Sequence, residues 1–425
     1  MGAYSGPGSW FQRLDRYART GSPFNLPVVG IFLALASLTS GPASASDPGV
    51  TESEIRLGQT MPYSGPASGY AVYGRVEAAY YEMINASGGI NGRKVNLISL
   101  DDALSPPKTV EQTRKLVEQD EVFAMVGSLG TVTNSAVQRY LKLKKVPQVF
   151  IATGASKWND PSNFPYTIAL APPYRLEGEA FGKYVLSNSP DAKIGILTQN
   201  DDAGRDYIEG VRKGLGENAS KMIVETVTYE NSDPTVDSQI LKLKAAGADT
   251  LFAGGTPRIA AQAIRKIGEL GWKPFHWIPI PSNSIKGVLE AAGLDHAKSL
   301  VTTLVYKSPT DTRWQDDPDV KEFNRFIKDR MPQADLNDSS LVAGYVSAYV
   351  TAKTLELCGK DLSRANFVKQ ASSLTKMEAP MLLPGITLTT RPDNYSAFSQ
   401  LQMARFDGVN WVPEGPVIAV DDQGH

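Results

Sequence analysis

Four short loops combine glycine with hydroxyl-bearing residues in a way that can hold a small anion. They are Ser64-Gly65, followed by Tyr70 and Tyr73; Gly127-Ser128-Leu129-Gly130-Thr131; Ala152-Thr153-Gly154-Ala155-Ser156; and Gly254-Gly255-Thr256. Each lies where an apolar run hands over to a helical pattern. Backbone N–H groups and hydroxyls at such a junction face outward from a helix N-terminus, which suits a carboxylate. Taken singly, each loop reads as turn and cap chemistry. Three of them in one sheet point to a binding site.

Other chemistries fare worse. Asp101-Asp102 sits at a strand end, but adjacent residues on an extended segment point opposite ways and form no converging dyad. Asp201-Asp202 reads the same way, except that it opens a helix facing the expected cleft. The histidines are His276, His296 and His425, and the one cysteine is Cys358. That supply argues against Cys/His zinc sites and structural disulfides. A Ser-His-Asp hydrolase lacks its G-x-S-x-G elbow. Ser373-Leu374-Thr375-Lys376 matches S-x-x-K without partners. No Walker pattern or G-x-G-x-x-G occurs, so no nucleotide cofactor is expected, and no cofactor of any kind. Cys358, at a helix end, reads as a half-buried structural thiol.

The 425 residues carry 42% apolar and 21% charged side chains and a net charge of -2. Such a chain builds a packed globular protein of two ordinary lobes. Without a basic block, nucleic acid and anionic membrane are poor partners. Arg13, Arg16 and Arg19 precede the apolar run Val28–Leu38, which ends at Ala43-Ser44-Ala45. This is the pattern of an export signal over 1–45, and it places the mature protein in the periplasm. A retained membrane anchor is the alternative.

The elements that must position the loops alternate in type. "IRLGQT" reads as a strand and Ala71 to Ala86 as a helix stopped by Gly88-Gly89. "KVNLISLDD" is a strand, and Ser105 caps a helix that opens on Pro106-Pro107. "VFAMVGS", a helix from Thr133 to Lys144, and "PQVFIAT" follow. The rhythm restarts after Pro172-Pro173 with "AKIGILTQ", Ala203 to Leu215, "MIVETVTY", Thr235 to Ala246, "ADTLFAGG", Ile259 to Leu270 and "FHWIPIP". Later come "SLVTTLVY", the helices Val320–Met331 and Leu341–Cys358, and "SQLQMARFDG". Strand and helix in this order predict an α/β fold of two mostly parallel sheets flanked by helices. Ligands of such sheets bind beyond the C-terminal strand ends.

Several segments together carry a resemblance: "IRLGQTMPYSGP", "YYEMINASGGINGRKVNLISLDD", "VFAMVGSLGTVTNSA", "VFIATGASKWND", "ILTQNDDAGRDYIEGVRKGL" and "AGADTLFAGGTPRIAAQAIRKIGELGW". In this order, and over nearly all of the mature chain, the sequence resembles the periplasmic solute-binding proteins of the branched-chain amino acid ABC transporter type. The resemblance implies a type I periplasmic-binding-protein fold, whose two lobes close on a ligand about a three-strand hinge. Crossovers are then expected near Ala171–Tyr174, Val301–Tyr306 and Ala397–Leu401. The N-terminal lobe takes 46–172 with 304–397, and the C-terminal lobe 173–303 with 398–425.

The resemblance also implies a site. Ser64, Tyr70 and Tyr73 wall the cleft. Ser128, or Leu129-Gly130-Thr131, and Gly154-Ala155-Ser156 bind the ligand carboxylate. Across the cleft the family's tyrosine position holds Ala203, within Asp202-Ala203-Gly204. The turn that carries an acid against the ligand ammonium reads Pro279-Ile280-Pro281-Ser282-Asn283-Ser284, with no carboxylate. A buried ammonium needs a counter-charge or full hydrogen bonding. An aromatic or aliphatic organic acid is therefore expected ahead of an amino acid. Thr256, Ser282 and Asn283 complete the list, with Arg258, which either pairs with a carboxylate or is solvated. Tyr345 and Trp158 are cleft aromatics or core. The function implied is a monomeric receptor that feeds an ABC permease in the inner membrane without catalysis. The alternatives are a ligand-sensing subunit of a signalling system and an exported two-lobed enzyme.

Overall fold

In the computed structural model, which describes residues 47–419, the strands gather into two sheets. The expected export signal over 1–45 and His425 lie outside the described residues. The first sheet is parallel throughout, in the order β2-β1-β3-β4-β5. Its strands are β1 (Glu54–Met61), β2 (Lys94–Asp101), β3 (Ala124–Val126), β4 (Gln148–Ile151) and β5 (Thr167–Ala169). The second runs β12-β11-β10-β9-β8-β6-β7. It contains β6 (Ile194–Gln199), β7 (Ile223–Tyr229), β8 (Thr250–Ala253), β9 (Phe275–Trp277), β10 (Val301–Leu304), β11 (Gln400–Phe406) and β12 (Trp411–Ala419). Only β11 breaks the parallel pattern, running antiparallel to β10 and β12. Parallel strands need crossover helices, which cover both faces. That is why β3 and β4 are buried along their whole length.

The first sheet carries α1 (Ala71–Ala86), α2 (Pro106–Glu118) and α3 (Thr131–Lys144); the second carries α4 (Tyr174–Asn188), α5 (Asp202–Leu215), α6 (Asp237–Ala245) and α7 (Pro257–Glu269). After β10 come α8 (Pro318–Arg330), α9 (Ser339–Leu357) and α10 (Arg364–Ala371). The chain thus passes between the sheets after β5, after β10 and before β11. β10 is a full member of the second sheet, so the second crossing starts past Leu304 rather than at Val301.

Local chemistry explains the main elements. Helix α1 has its expected bounds and ends on Gly88 and Gly89, both at positive φ. Helix α2 does open on two prolines, but the Ser105 side chain makes no cap bond. Instead the Thr109 hydroxyl serves Asp102 and the Ser105 carbonyl. Helices α4 and α5 pack backbone to backbone. A Cβ at Gly178 or Gly182 would strike the backbone of α5, and one at Gly210 or Gly214 that of α4. Two glycines four apart on each helix make this approach possible. Helix α9 is apolar nearly all round and buried on most sides, as a central helix should be.

Candidate functional site

A cavity of about 240 Å³ lies between the C-terminal strand ends of the two sheets. The first sheet contributes Tyr70, Tyr73, Leu104 and the run Leu129–Val132. The second contributes Tyr174 and Glu177 of α4, Tyr207, Tyr229, Thr256 and Asn283, and the crossing after β10 adds Tyr306. The Tyr306 hydroxyl has no protein hydrogen bond among the described residues, and burial raises its pKa.

On the first wall the cavity meets the open end of α3. The helix starts at Thr131, two residues earlier than its apolar spacing predicts, and Gly130 is its N-cap at φ 105°. No side chain caps it. Among the described residues, the N–H groups of Thr131 and Val132 have no protein acceptor. Both residues line the cavity. The Thr131 hydroxyl is held by Thr153 at 2.6 Å. Two backbone donors without a protein acceptor at a helix N-terminus are the kind of group that suits an anion.

The second wall has similar composition and the opposite state. Asp201 caps α5 by accepting from Gly204 N–H at 3.0 Å, and its other oxygen accepts from Gln199 Nε2 at 2.9 Å. Gly255 N–H donates to Ser282 Oγ at 2.8 Å, and Thr256 N–H to the Tyr229 hydroxyl at 3.0 Å. Glu177 accepts from Ile280 N–H at 2.7 Å, from Thr303 Oγ1 at 3.2 Å and from the Tyr207 hydroxyl at 3.3 Å. Burial outweighs these donors and pushes its carboxyl up to about 8. Asp201 is also raised, again by burial first. Carboxylates therefore do line the cavity, from α4 and the start of α5 rather than from the 279–284 turn.

Of the residues expected from the sequence, the cavity brings together Tyr70, Tyr73, Leu129, Gly130, Thr131, Ala203, Thr256 and Asn283. The others stand elsewhere, each for a local reason. Ser64 is exposed and donates through N–H and hydroxyl to Asp101. Ser128 is buried under the loop, its Oγ accepting from Thr60 N–H. Gly154 abuts the Pro172 carbonyl with no room for a Cβ, and Ala155 packs with Ile151 and Trp158 in a small core cluster. Arg258 is half-buried and gives its guanidinium to the carbonyls of Asn231, Asp233 and Pro234, with no carboxylate among its partners. Ser282 is taken up by Gly255. Tyr345 is core, with ring centroids 5.1 Å from those of Tyr80, Phe323 and Phe326. Cys358 is fully buried rather than half-buried, and its thiol is pushed up to about 12, by burial first.

Two expected residues join the walls instead of lining them. Ser156 donates to Asp206 of α5 through N–H (2.6 Å) and Oγ (2.7 Å). Asp202 accepts from Lys157 Nζ at 3.0 Å, and Lys157 also holds Ser135. Tyr70 donates to the Pro281 carbonyl at 3.0 Å on the other side of the cavity. The lobes therefore touch on two flanks.

Residues that the sequence reading passed over include Leu104, Tyr174, Glu177, Tyr207 and Trp411. Tyr174, Glu177 and Tyr207 arrive through the α4–α5 pair. The paired glycines of Gly178/Gly182 and Gly210/Gly214 were the available signal. Among the described residues no helix is long and apolar enough to cross a membrane, and no group of three His, Cys, Asp or Glu is arranged to hold a metal.

Comparison with known proteins agrees with this architecture. The profile of the periplasmic binding protein family matches residues 54–408. Leu/Ile/Val-binding protein homolog 7 of Brucella abortus is 24% identical over 405 residues, covering 92% of this chain and 95% of that one. An amino acid binding protein of Pseudomonas aeruginosa is 26% identical over 228 residues, but that match spans only 51% of this chain and 58% of the relative. Among solved structures, a branched-chain amino acid ABC transporter protein of Thermus thermophilus with bound valine superposes with a TM-score of 0.77 at 15% identity, covering 88% of this chain and 98% of that one. A fatty acid ABC transporter substrate-binding protein of Thermomonospora curvata gives 0.73 at 18%, covering 88% and 95%. These similarities to solved structures speak for the type I fold. The chain belongs to the periplasmic binding protein family.

Proposed function

We propose that the chain is a periplasmic receptor that closes on a small carboxylate and delivers it to an ABC permease in the inner membrane. The favoured ligand is an aromatic or aliphatic organic acid, with an amino acid second. The observation that carries this reading is the uncapped N-terminus of α3, where Thr131 and Val132 line the cavity and their N–H groups have no protein acceptor among the described residues. A carboxylate satisfies both donors and the helix dipole together. The tyrosine rings then cover the apolar remainder of the ligand.

The ammonium of an amino acid finds less support. Glu177 and Asp201 line the cavity, but the protein already gives donors to both oxygens of each. The 279–284 turn contains no acid. Relatives of this fold are named for both ligand classes, valine in one case and fatty acid in another. In this reading residues 1–45 are the export signal, the lobes comprise 46–172 with 304–397 and 173–303 with 398–425, and the receptor is a monomer.

Calorimetric titration of the mature chain, stripped of carried-over ligand by unfolding and refolding, tests the proposal. The panel sets benzoate, 4-hydroxybenzoate, 4-hydroxycinnamate and short fatty acids against leucine, valine and phenylalanine. Micromolar or tighter binding of an acid, with the amino acids silent, is expected. Tight binding of an amino acid alone would overturn the ligand preference.

A further inference from the structure

We infer that Leu104 sets the specificity of the cavity at the carbon next to the ligand carboxylate, excluding an α-ammonium group and α-branches. The inference rests on the reading that a carboxylate sits at the start of α3. Ala103 and Leu104 are consecutive non-glycine residues in the left-handed region, at φ 52° and 56°. Neither side chain favours that conformation by hydrogen bonding to its own backbone, so the surroundings must impose it.

The imposing groups are visible. Ala103 N–H donates to Asp101 Oδ1 at 3.1 Å, and Leu104 N–H to Asp102 Oδ1 at 2.9 Å. Asp101 is itself held by Ser64 N–H at 3.0 Å, Ser64 Oγ at 2.6 Å and Lys108 Nζ at 2.6 Å. Asp102 is held by Thr109 Oγ1 at 2.9 Å. Five side chains thus brace a strained turn whose product is the placement of one leucine.

That leucine lines the cavity and packs with Tyr73 and Leu129. It also lies over the α-carbon of Gly130, the N-cap of α3. A Cβ at Gly130 would come 2.5 Å from Leu104 Cδ1. An isobutyl group therefore flanks the two open donors of α3. An acid with CH₂ or an unbranched ring carbon next to its carboxylate fits beside it. An ammonium there exchanges its water for hydrocarbon without gaining an acceptor, and a methyl branch meets a wall braced from behind.

The test uses acids that differ only at that carbon: 4-methylpentanoate, 2,4-dimethylpentanoate and leucine. Calorimetry compares the wild-type chain with Leu104→Gly and Leu104→Ala. Glycine takes the left-handed conformation without strain, which offsets the packing lost against Tyr73 and Leu129, so Leu104→Gly folds. The wild type is expected to prefer the unbranched acid at least ~10-fold, the discrimination one methyl group can give. Leu104→Gly narrows that ratio to within ~3-fold, with Leu104→Ala between. An unchanged ratio in Leu104→Gly, with both acids still bound, overturns the role of Leu104 and leaves the carboxylate reading intact. Failure of every acid to bind the wild type, or leucine binding more tightly than 4-methylpentanoate, overturns both.

Discussion

The two walls of the cavity are built from loops of the same composition, yet only one is left open. On the first wall, Leu129-Gly130-Thr131 leads into α3 with no side-chain cap, and the N–H groups of the cavity-lining Thr131 and Val132 have no protein acceptor among the described residues. On the second, Asp201 caps α5, Ser282 takes Gly255 N–H and the Tyr229 hydroxyl takes Thr256 N–H. Glycine and hydroxyl residues at a strand end therefore do not define a binding loop. What matters is whether a side chain from elsewhere reaches the donors first. The open wall can hold charge; the satisfied wall supplies shape and aromatic surface.

Breaking the open wall should have the largest effect. Thr131→Pro deletes one donor while its fixed φ suits the first helical position, and the extended ψ of Gly130, 143°, suits a residue before proline. Acid affinity is expected to fall about 10–100-fold, the worth of one charge-assisted hydrogen bond. Thr131→Ala, which loses only the hydroxyl contact with Thr153, controls for the side chain. Equal losses in the two variants would deny the N–H its role.

Severing the joint between the walls comes next. Asp206 is buried and accepts twice from Ser156 across the cleft and once from Arg175. Asp206→Ala should weaken binding about tenfold by destabilising the closed arrangement. Small-angle scattering with ligand present should report a larger radius of gyration. Unchanged affinity and size would make this contact incidental.

The satisfied wall should answer mainly through pH. Burial raises Glu177 to about 8, whereas an unfolded glutamate titrates near about 4.3. The folded state thus keeps a proton that the unfolded chain has lost. The stability this contributes is complete below about pH 4 and disappears as the pH rises towards about 8. Glu77, buried beside Gln59 and Ser347 and also raised to about 8, adds a slope of the same sign. Glu177→Gln should reduce the loss of stability between about pH 5 and 8 by at least about 1 kcal/mol without removing it. Denaturant unfolding at the two pH values measures this, and an unaltered difference would mean that Glu177 is ionised throughout.

Much of the fold was legible because apolar runs and helical spacing report burial directly. Helix α1 begins and ends where its pattern says. Strand β12 was not read, since Pro413, Gly415 and Pro416 break its pattern as they should on a sheet edge. The site was legible as a set of strand-end loops, but not residue by residue. Ser64, Ser128, Ser156 and Ser282 look like ligand hydroxyls in the sequence, and each binds protein instead. Their partners, Asp101, Thr60, Asp206 and Gly255, lie 27 to 68 residues away. No local pattern reveals such pairings. Tyr345 shows the same limit on a helix: α9 is apolar nearly all round and buried on most sides, so its apolar spacing cannot say which side faces a cavity.

The contrast between the walls can be read from two threonine amides. Uniform nitrogen-15 labelling of threonine in the refolded chain places Thr131 and Thr256 in one spectrum, assigned by substituting each with alanine. When a bound acid from the panel is added, the Thr131 amide should move strongly downfield as it gains a carboxylate acceptor, and the Thr256 amide, already held by Tyr229, should move little. A large shift at Thr256 with Thr131 unmoved would place the carboxylate on the other wall and contradict the account.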